Sequence, residues 1–485
     1  MATECSERTM EFQGLGSRKV VAAFNGGRLT SDGGALLLRE VECRYGLIRR
    51  FAECFTDYRD GEAIEHPVYD LVAQRVYALA LGYEDLNDHD QLRRDELLAV
   101  AVGKVDVTGS ERSRERDRGK ALAGKSTLNR LELTPPEADA SHRYKKIVAD
   151  PRALAGVWVE YYIQTHPSRP ARIVLDLDAT NDSIYGHQEG RFFHGYYDEY
   201  CYLPLYMFID DCLVWAQLRT SDIDGAAGAA AALLEILGRL WEQWPGIEIL
   251  VRGDSGFCRE ELMVLCEAWP GVDYVFGLAK NTRLLSALSA AQAEAKAQHE
   301  ATGQASRVFA EFEYQTLKSW SRARRVVGKA EHLSKGANPR FVVTSLPAQR
   351  YPAQQLYEKE YCLRGEMENR IKEQQLALFA DRTSTATMRA NQLRLWFSSL
   401  AYTLLEVFRR ECLAGTEMAQ AQCGTIRLRL LKIGARVAVS VRRVMISLAS
   451  GCPYQGLFER VYEAFCAIAN PAPMSVREVA FVARQ

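Results

Sequence analysis

Three carboxylates define the chemistry open to this sequence. Asp178 closes the apolar run "RIVLDLD", Asp254 closes "IEILVRGD", and Glu368 lies in the helical stretch "EKEYCLRGEMENRIKEQQLALFADR". In open α/β sheets functional groups gather at the C-terminal ends of strands. Two such strand ends and one packed helix bring the three acids to one place. Clustered like charges are costly unless a cation neutralises them. An all-oxygen ligand set selects a hard ion, Mg2+ or Mn2+, and leaves positions open for water and substrate phosphates. Two such ions about 3.5–4 Å apart clamp the attacking and leaving oxygens of an in-line displacement at phosphorus. Asp176 rivals Asp178, because two residues along a strand return to the same face.

The elements that must position these acids follow from periodicity. "CYLPLYMFID" and "CLVWAQLRT" are β-rich runs meeting at Asp210-Asp211, a hairpin. "DGAAGAAAALLEILGRLWEQW" and "CREELMVLCEAW" read as helices and "DYVFGLAK" as a strand, giving β-β-β-α-β-α-β, a mixed α/β unit. Residues 281–350 interrupt it with an Ala-rich helix and three strand-like runs, expected to form a small antiparallel sheet. The stretch before about 165 is helical in spacing, with Ser31 and Asp32 as helix-capping candidates. The tail from 389 is read as helical and basic, with ten Arg/Lys against three Glu between Arg389 and Arg443.

The totals exclude several classes. The chain has 485 residues, 47% hydrophobic and 25% charged, with a net charge of −1, so any basic surface is local and offset elsewhere. Its twelve cysteines contain no C-x-x-C pair, as expected of reduced thiols in a cytosolic protein. No apolar stretch is long enough for a membrane span. Gly119, Gly124, Lys125 and Ser126 spell the phosphate-loop pattern, but that loop requires a buried strand before its first glycine. "SERSRERDR", four arginines against three acids, stands there instead. The segment reads as a helix start capped by Ser126 or Thr127, and no ATP requirement is expected.

Taken together, "DLDATND", "VRGDSGF" and "YCLRGEMENRIKEQ" resemble the D-x-D-A-T, V-R-G-D-S-G-F and Y-x-x-R-x-x-x-E motifs of DDE transposases of bacterial insertion sequences. The resemblance extends to "NGGRLTSDGGALLLRE", "LAGKSTLNRLE" and "RTSTATMRANQLRLWFSSLAYTLLEVFRR". It implies a ribonuclease-H-like α/β core interrupted by a β-rich insertion, with a mostly helical N-terminal domain and a helical C-terminal region. The expected boundaries are a DNA-binding domain over 1–165, the first part of the core over 166–280, the insertion over 281–350, the completed core over 351–388 and the basic region over 389–485. It also implies Asp178, preferred because Asp-Ala-Thr matches, with Asp254 and Glu368 as catalytic metal ligands for Mg2+, with Mn2+ substituting.

The implied partner is double-stranded DNA, both element ends and target, bound by a homodimer in the bacterial cytoplasm. Tyr361 and Arg364 share the Glu368 face, with Arg364 in reach of a phosphate. The wider family often has Lys seven residues after the Glu; here Gln375 stands there and Lys372 lies four residues after. Trp320 is a candidate to stack on a flipped base. Arg252, Lys125 and Arg130 are further DNA-contact candidates, as are the tail residues Arg427, Arg429, Lys432, Arg436, Arg442 and Arg443. His187 and His194 are read as structural or substrate-side residues, since magnesium prefers oxygen. Two other readings share these residues: a nuclease that cuts without joining, and a catalytically silent DNA-binding relative.

Overall fold

In the computed structural model of the chain, which describes residues 9–467, one nine-stranded mixed sheet presents the first two acids. From one edge its strands run Cys212–Gln217, Leu205–Ile209, Ile173–Ala179, Ile249–Gly253, Val272–Leu278, Arg340–Thr344, Arg324–Leu333 and Ser306–Tyr314, with Gly336–Ala337 paired to Arg324–Leu333. The hairpin turns at Asp210, whose φ of 52° is a left-handed conformation that Asp tolerates. Ile173–Ala179, Ile249–Gly253 and Val272–Leu278 run parallel and near-continuously apolar, as strands covered on both faces do. Leu175, Leu177 and Met207 point one way, onto the amphipathic helix Ala229–Gln243, in a shared core. Asp176, Asp178, Tyr206 and Phe208 point the other way.

The strands of 306–344 do not form the separate small sheet expected. They extend the same sheet, because Val342 and Val343 continue the ladder of Val272–Leu278. Their alternating Val and Phe residues match the sheet face already buried, which fixes the register.

The opposite layer is helical. Val68–Leu81 and the 25-residue Met388–Cys412 pack together in a core that also holds Trp158, Tyr206 and Phe208. The N-terminal helices and the segment after 388 therefore share one core. The contact is close enough that a Cβ on Gly34 would run into the Leu430 carbonyl oxygen, which explains the Gly-Gly of "SDGGALL". Gly34, not Ser31 or Asp32, precedes the helix Ala35–Tyr45; Asp32 instead accepts from the Tyr83 hydroxyl at 2.7 Å and pairs with Lys432 at 2.6 Å.

Besides the short pairing of Phe55–Asp57 with Ile147–Ala149 and of Leu29–Thr30 with Ala435–Ser440, two hairpins depart from the helical expectation. Met10–Leu15 and Arg18–Ala22 form an exposed hairpin at the start. Ala435–Ser440 and Arg443–Leu448 form another inside the basic tail. The second follows from "ARVAVSVRRVMISL", whose period of two in Val437, Val439 and Val441 and then in Val444, Ile446 and Leu448 is a strand signal that the arginine count obscured. The tail read as 389–485 extends past the described residues. Among those described, no helix is long and apolar enough to cross a membrane.

Candidate active site

Register brings the first two acids together. Leu177 pairs with Gly253 in the parallel ladder, so Asp178 and Asp254 are the next residues on adjacent strands. Each carboxylate has one oxygen held by backbone. Asp178 Oδ1 accepts from Ala179 N at 2.9 Å, and Asp254 Oδ1 accepts from Gly256 N at 2.8 Å as the chain turns after its strand. The third acid arrives on the helix Gly365–Leu378, which buries Met367, Ile371 and Leu378 and leaves Glu368 half-exposed beside the strand ends. A π-helical turn over Leu356–Tyr361 and a tighter 3-10 turn over Cys362–Arg364 lead into it; π turns inside helices recur at functional sites.

The electrostatics join the three. Burial pushes the Asp178 carboxyl up to about 7; Asp254 and Glu368 push the same way, and the Arg364 guanidinium opposes them. Arg364 feels the charge of all three acids, and its Nη2 lies 3.3 Å from Glu368 Oε1. Tyr361 sits within reach of Arg364, its phenol held above the ordinary range by burial.

The donor set is all carboxylate oxygen, the chemistry a hard divalent ion takes. The side chains are not closed into a ligand set. Among the described residues no three His, Cys, Asp or Glu are grouped as metal ligands. Arg364 pairs with Glu368 and is the cation that Asp178 and Asp254 act on electrostatically.

Asp176 is placed differently from Asp178. Its two oxygens accept from Arg252 Nε and Nη2, both at 2.6 Å, and both residues are buried. Arg252 Nη1 also donates to the Glu360 carbonyl at 2.7 Å, and Arg172 forks onto the Glu360 carboxylate at 3.2 and 3.1 Å. Arg252 thus ties the Asp178 strand, the Asp254 strand and the segment leading to Glu368 into one frame. It has no free face for DNA, because its guanidinium is spent inside the protein.

The other sequence candidates scatter. Trp320 is 6% exposed, packed edge-on against Tyr314 and beneath Arg324, so no base can stack on it as it stands. Gln375 turns inward and donates to Asp182 Oδ1 at 3.0 Å and to the Asn181 carbonyl, while Lys372 is exposed. Lys125 and Arg130 line an open groove of about 530 Å³ with Ser126, Asn129, Lys145 and Arg394, none of which is among the acids or their contacts. The phosphate-loop pattern there starts the helix Lys125–Leu133 after Gly124, with no strand before it and no side-chain cap from Ser126 or Thr127. Arg427 donates to the carbonyls of Ala80 and Leu79 inside the core, and Lys432 to Asp32, whereas Arg442 and Arg443 stay exposed by the hairpin turn.

Two positioning features escaped the sequence reading. A Cβ on Gly277 would stand 2.8 Å from Ser255 N and collide with the Tyr361 hydroxyl, so this strand position admits only glycine. Arg370 Nε reaches Asp211 at 2.6 Å and Arg409 reaches Glu373 at 3.1 Å, pinning the Glu368 helix to the hairpin and to Met388–Cys412. Neither pairing carries a local signal, since the partners are 159 and 36 residues apart.

With that geometry in place, the chain belongs to the family described as Transposase DDE domain group 1, whose model matches residues 12–469. Among solved structures it is similar to a piggyBac transposase synaptic complex with hairpin DNA, at 11% identity and a TM-score of 0.39, covering 83% of this chain and 80% of that one. No curated protein matches the sequence.

Proposed function

We propose that this transposase-family chain binds the terminal inverted repeats of an insertion sequence, cuts the DNA there and joins the freed 3′ ends to target DNA. The observation that supports the reading is the ladder register that makes Asp178 and Asp254 neighbours at adjacent strand ends, with Arg364 paired to Glu368 on the helix packed beside them. Strand order supports a ribonuclease-H-like core: the first five strands lie 3-2-1-4-5, with strand 2 alone antiparallel to its neighbours. The strands of 306–344 are then the insertion between the second and third acids.

Asp178, Asp254 and Glu368 would hold Mg2+, or Mn2+ in its place, which supplies charge neutralisation at the reacting phosphate. The rest falls to the chain. The Arg252 clamp keeps both strand ends and the Glu368 segment in register. Arg364, released from Glu368, has the planar fork that grips a phosphate. Cutting and joining are both in-line displacements at phosphorus, by water in the first and by the freed 3′ hydroxyl in the second. Catalysis is therefore positioning and electrostatics, with no covalent enzyme intermediate. The groove of Lys125, Arg130, Lys145 and Arg394 serves as a phosphate-contact surface that positions DNA without reading it. Two element ends must be held at once, so the working form is a dimer.

The test incubates the full chain with Mg2+, a duplex carrying the element's end and a supercoiled target. Joined product expected from the wild type should vanish with Asp254→Ala. Cutting without joining favours the nuclease reading instead, and DNA binding with neither reaction favours the silent relative.

A further inference from the structure

The segment that follows Asp178 is built around exposed rings. Half of the exposed aromatic side chains among the described residues fall between 185 and 200. Tyr185 is 90% exposed and Tyr196 86%, with Phe192, Phe193 and Tyr200 between them. They ride on a three-stranded ribbon, Asp182–Ser183, Glu199–Tyr202 and Phe192–His194. Phe193 and Tyr200 face each other across the strands with ring centres 5.5 Å apart, and the Arg191 guanidinium lies 3.6 Å from the Tyr200 ring centre.

Such rings are costly to leave in water, and a patch of them marks a binding surface. The ribbon beneath is fixed. The Tyr202 hydroxyl donates to the Glu189 carbonyl at 2.5 Å, Ser221 Oγ to the Phe192 carbonyl at 3.0 Å, and Glu189 N to the Ala386 carbonyl at 2.9 Å. Rings held on an anchored backbone bind without a large ordering cost.

The ribbon is tied to the segment that follows the first acid: Asp182, four residues after Asp178, pairs with Tyr202, and the Asn181 side chain reaches Glu199. Tyr197 packs edge-on against Tyr196 at 5.0 Å. A strand stacked on the ribbon therefore runs toward the end of the Asp178 strand. Arg191 is the one fixed cation among the rings; of the three carboxylates in the segment, Glu189 accepts from Met388 N and Glu199 is tied up by Asn181 and Ser183, leaving Asp198. Aromatic rings beside an arginine are how proteins hold nucleic acid whose bases are unstacked.

We propose that residues 185–200 form a stacking platform for unpaired nucleotides of the DNA end, taking the role that the buried Trp320 cannot fill. The inference rests on reading the acid cluster as the place where DNA is cut. Opening the last base pairs at a cut end would deliver bases to Tyr185 and Tyr196, while the phosphate between them approaches the acids.

The test measures anisotropy of a labelled dT20 strand and a labelled 20-base-pair duplex with the full chain in EDTA. Wild type should bind dT20. Tyr185→Ala with Tyr196→Ala should weaken that binding roughly 100-fold, about tenfold per ring, and change duplex binding less than threefold. Tyr185→Phe with Tyr196→Phe should restore it, since the ring and not the hydroxyl stacks. Equal losses on both DNAs, or no loss on dT20, overturn the proposal. So does a change of the alanine variant's oligomeric state in sedimentation, which would make the patch a subunit interface. If strand transfer is absent but ring-dependent dT20 binding persists, the cutting reading fails and the platform stands.

Discussion

Replacing Arg364 by Gln removes the guanidinium that feels the charge of all three acids while keeping a side chain of similar length. The three carboxyl groups then lose that cation, and Asp178, already lifted to about 7, is pushed further up. The size of the effect follows from exposure. Breaking a fully buried pair costs about 3–5 kcal/mol and an exposed one less than about 1 kcal/mol. Arg364 is 16% exposed and Glu368 46%, so about 1–3 kcal/mol is expected. At about 2–4 °C per kcal/mol for domains of 150–250 residues, the melting temperature in EDTA falls by a few degrees. The decisive part is the response to Mn2+. In the wild type a divalent ion competes with Arg364 for the same carboxylates; in the variant that competition is gone. Arg364→Gln should therefore gain more in melting temperature from Mn2+ than the wild type does, and Arg364→Lys, which keeps the charge, should fall between. Equal melting in EDTA, or equal gains from Mn2+, would refute the idea that Arg364 holds the cation position.

Other perturbations separate scaffold from chemistry. Asp178→Asn should abolish strand transfer while leaving melting intact or higher; Asp176→Asn should lower stability by about 3–5 kcal/mol, because it leaves Arg252 buried without its charge partner. Urea titration and the joining assay distinguish them, and a stable, inactive Asp176→Asn would reverse the assignment. Lys125→Ala with Arg130→Ala should weaken duplex binding of any sequence and reduce the slope of log K against log salt by about 2, at about 0.9 per lost phosphate contact; an unchanged slope removes the groove from the DNA path. Burial lifts Glu42, Asp178 and Asp182 to about 7 each, against about 4 for exposed carboxyls. The folded state then binds more protons than the unfolded one across that window, so these groups make stability fall as pH rises from about 4 to 7 and contribute nothing further above it. A melting series in EDTA should show this decline, and Glu42→Gln should lessen it; an unaltered slope in that variant would contradict the reading.

The strands of the acid core were legible because each is a short apolar run closed by an acid, and the hairpin because Asp210-Asp211 divides two β-rich runs. The choice between Asp176 and Asp178 was not fixed by periodicity, since both point to the same face. Coordinates separate them by what lies across the ladder: Arg252 opposite Asp176, and the strand end opposite Asp178. Trp320 and Arg252 have the right residue types for DNA contact, and only tertiary packing shows that they face inward. The hairpin at 435–448 was hidden by reading charge rather than period. The exposed rings of 185–200 were in plain view, but a sequence cannot say which aromatic residues stay outside the core.

The most direct measurement is anomalous diffraction from crystals of the full chain soaked in Mn2+. The account predicts a manganese peak bounded by the carboxylates of Asp178, Asp254 and Glu368, with Arg364 moved off Glu368. Manganese bound elsewhere, or Arg364 still among the acids at saturating Mn2+, would contradict it.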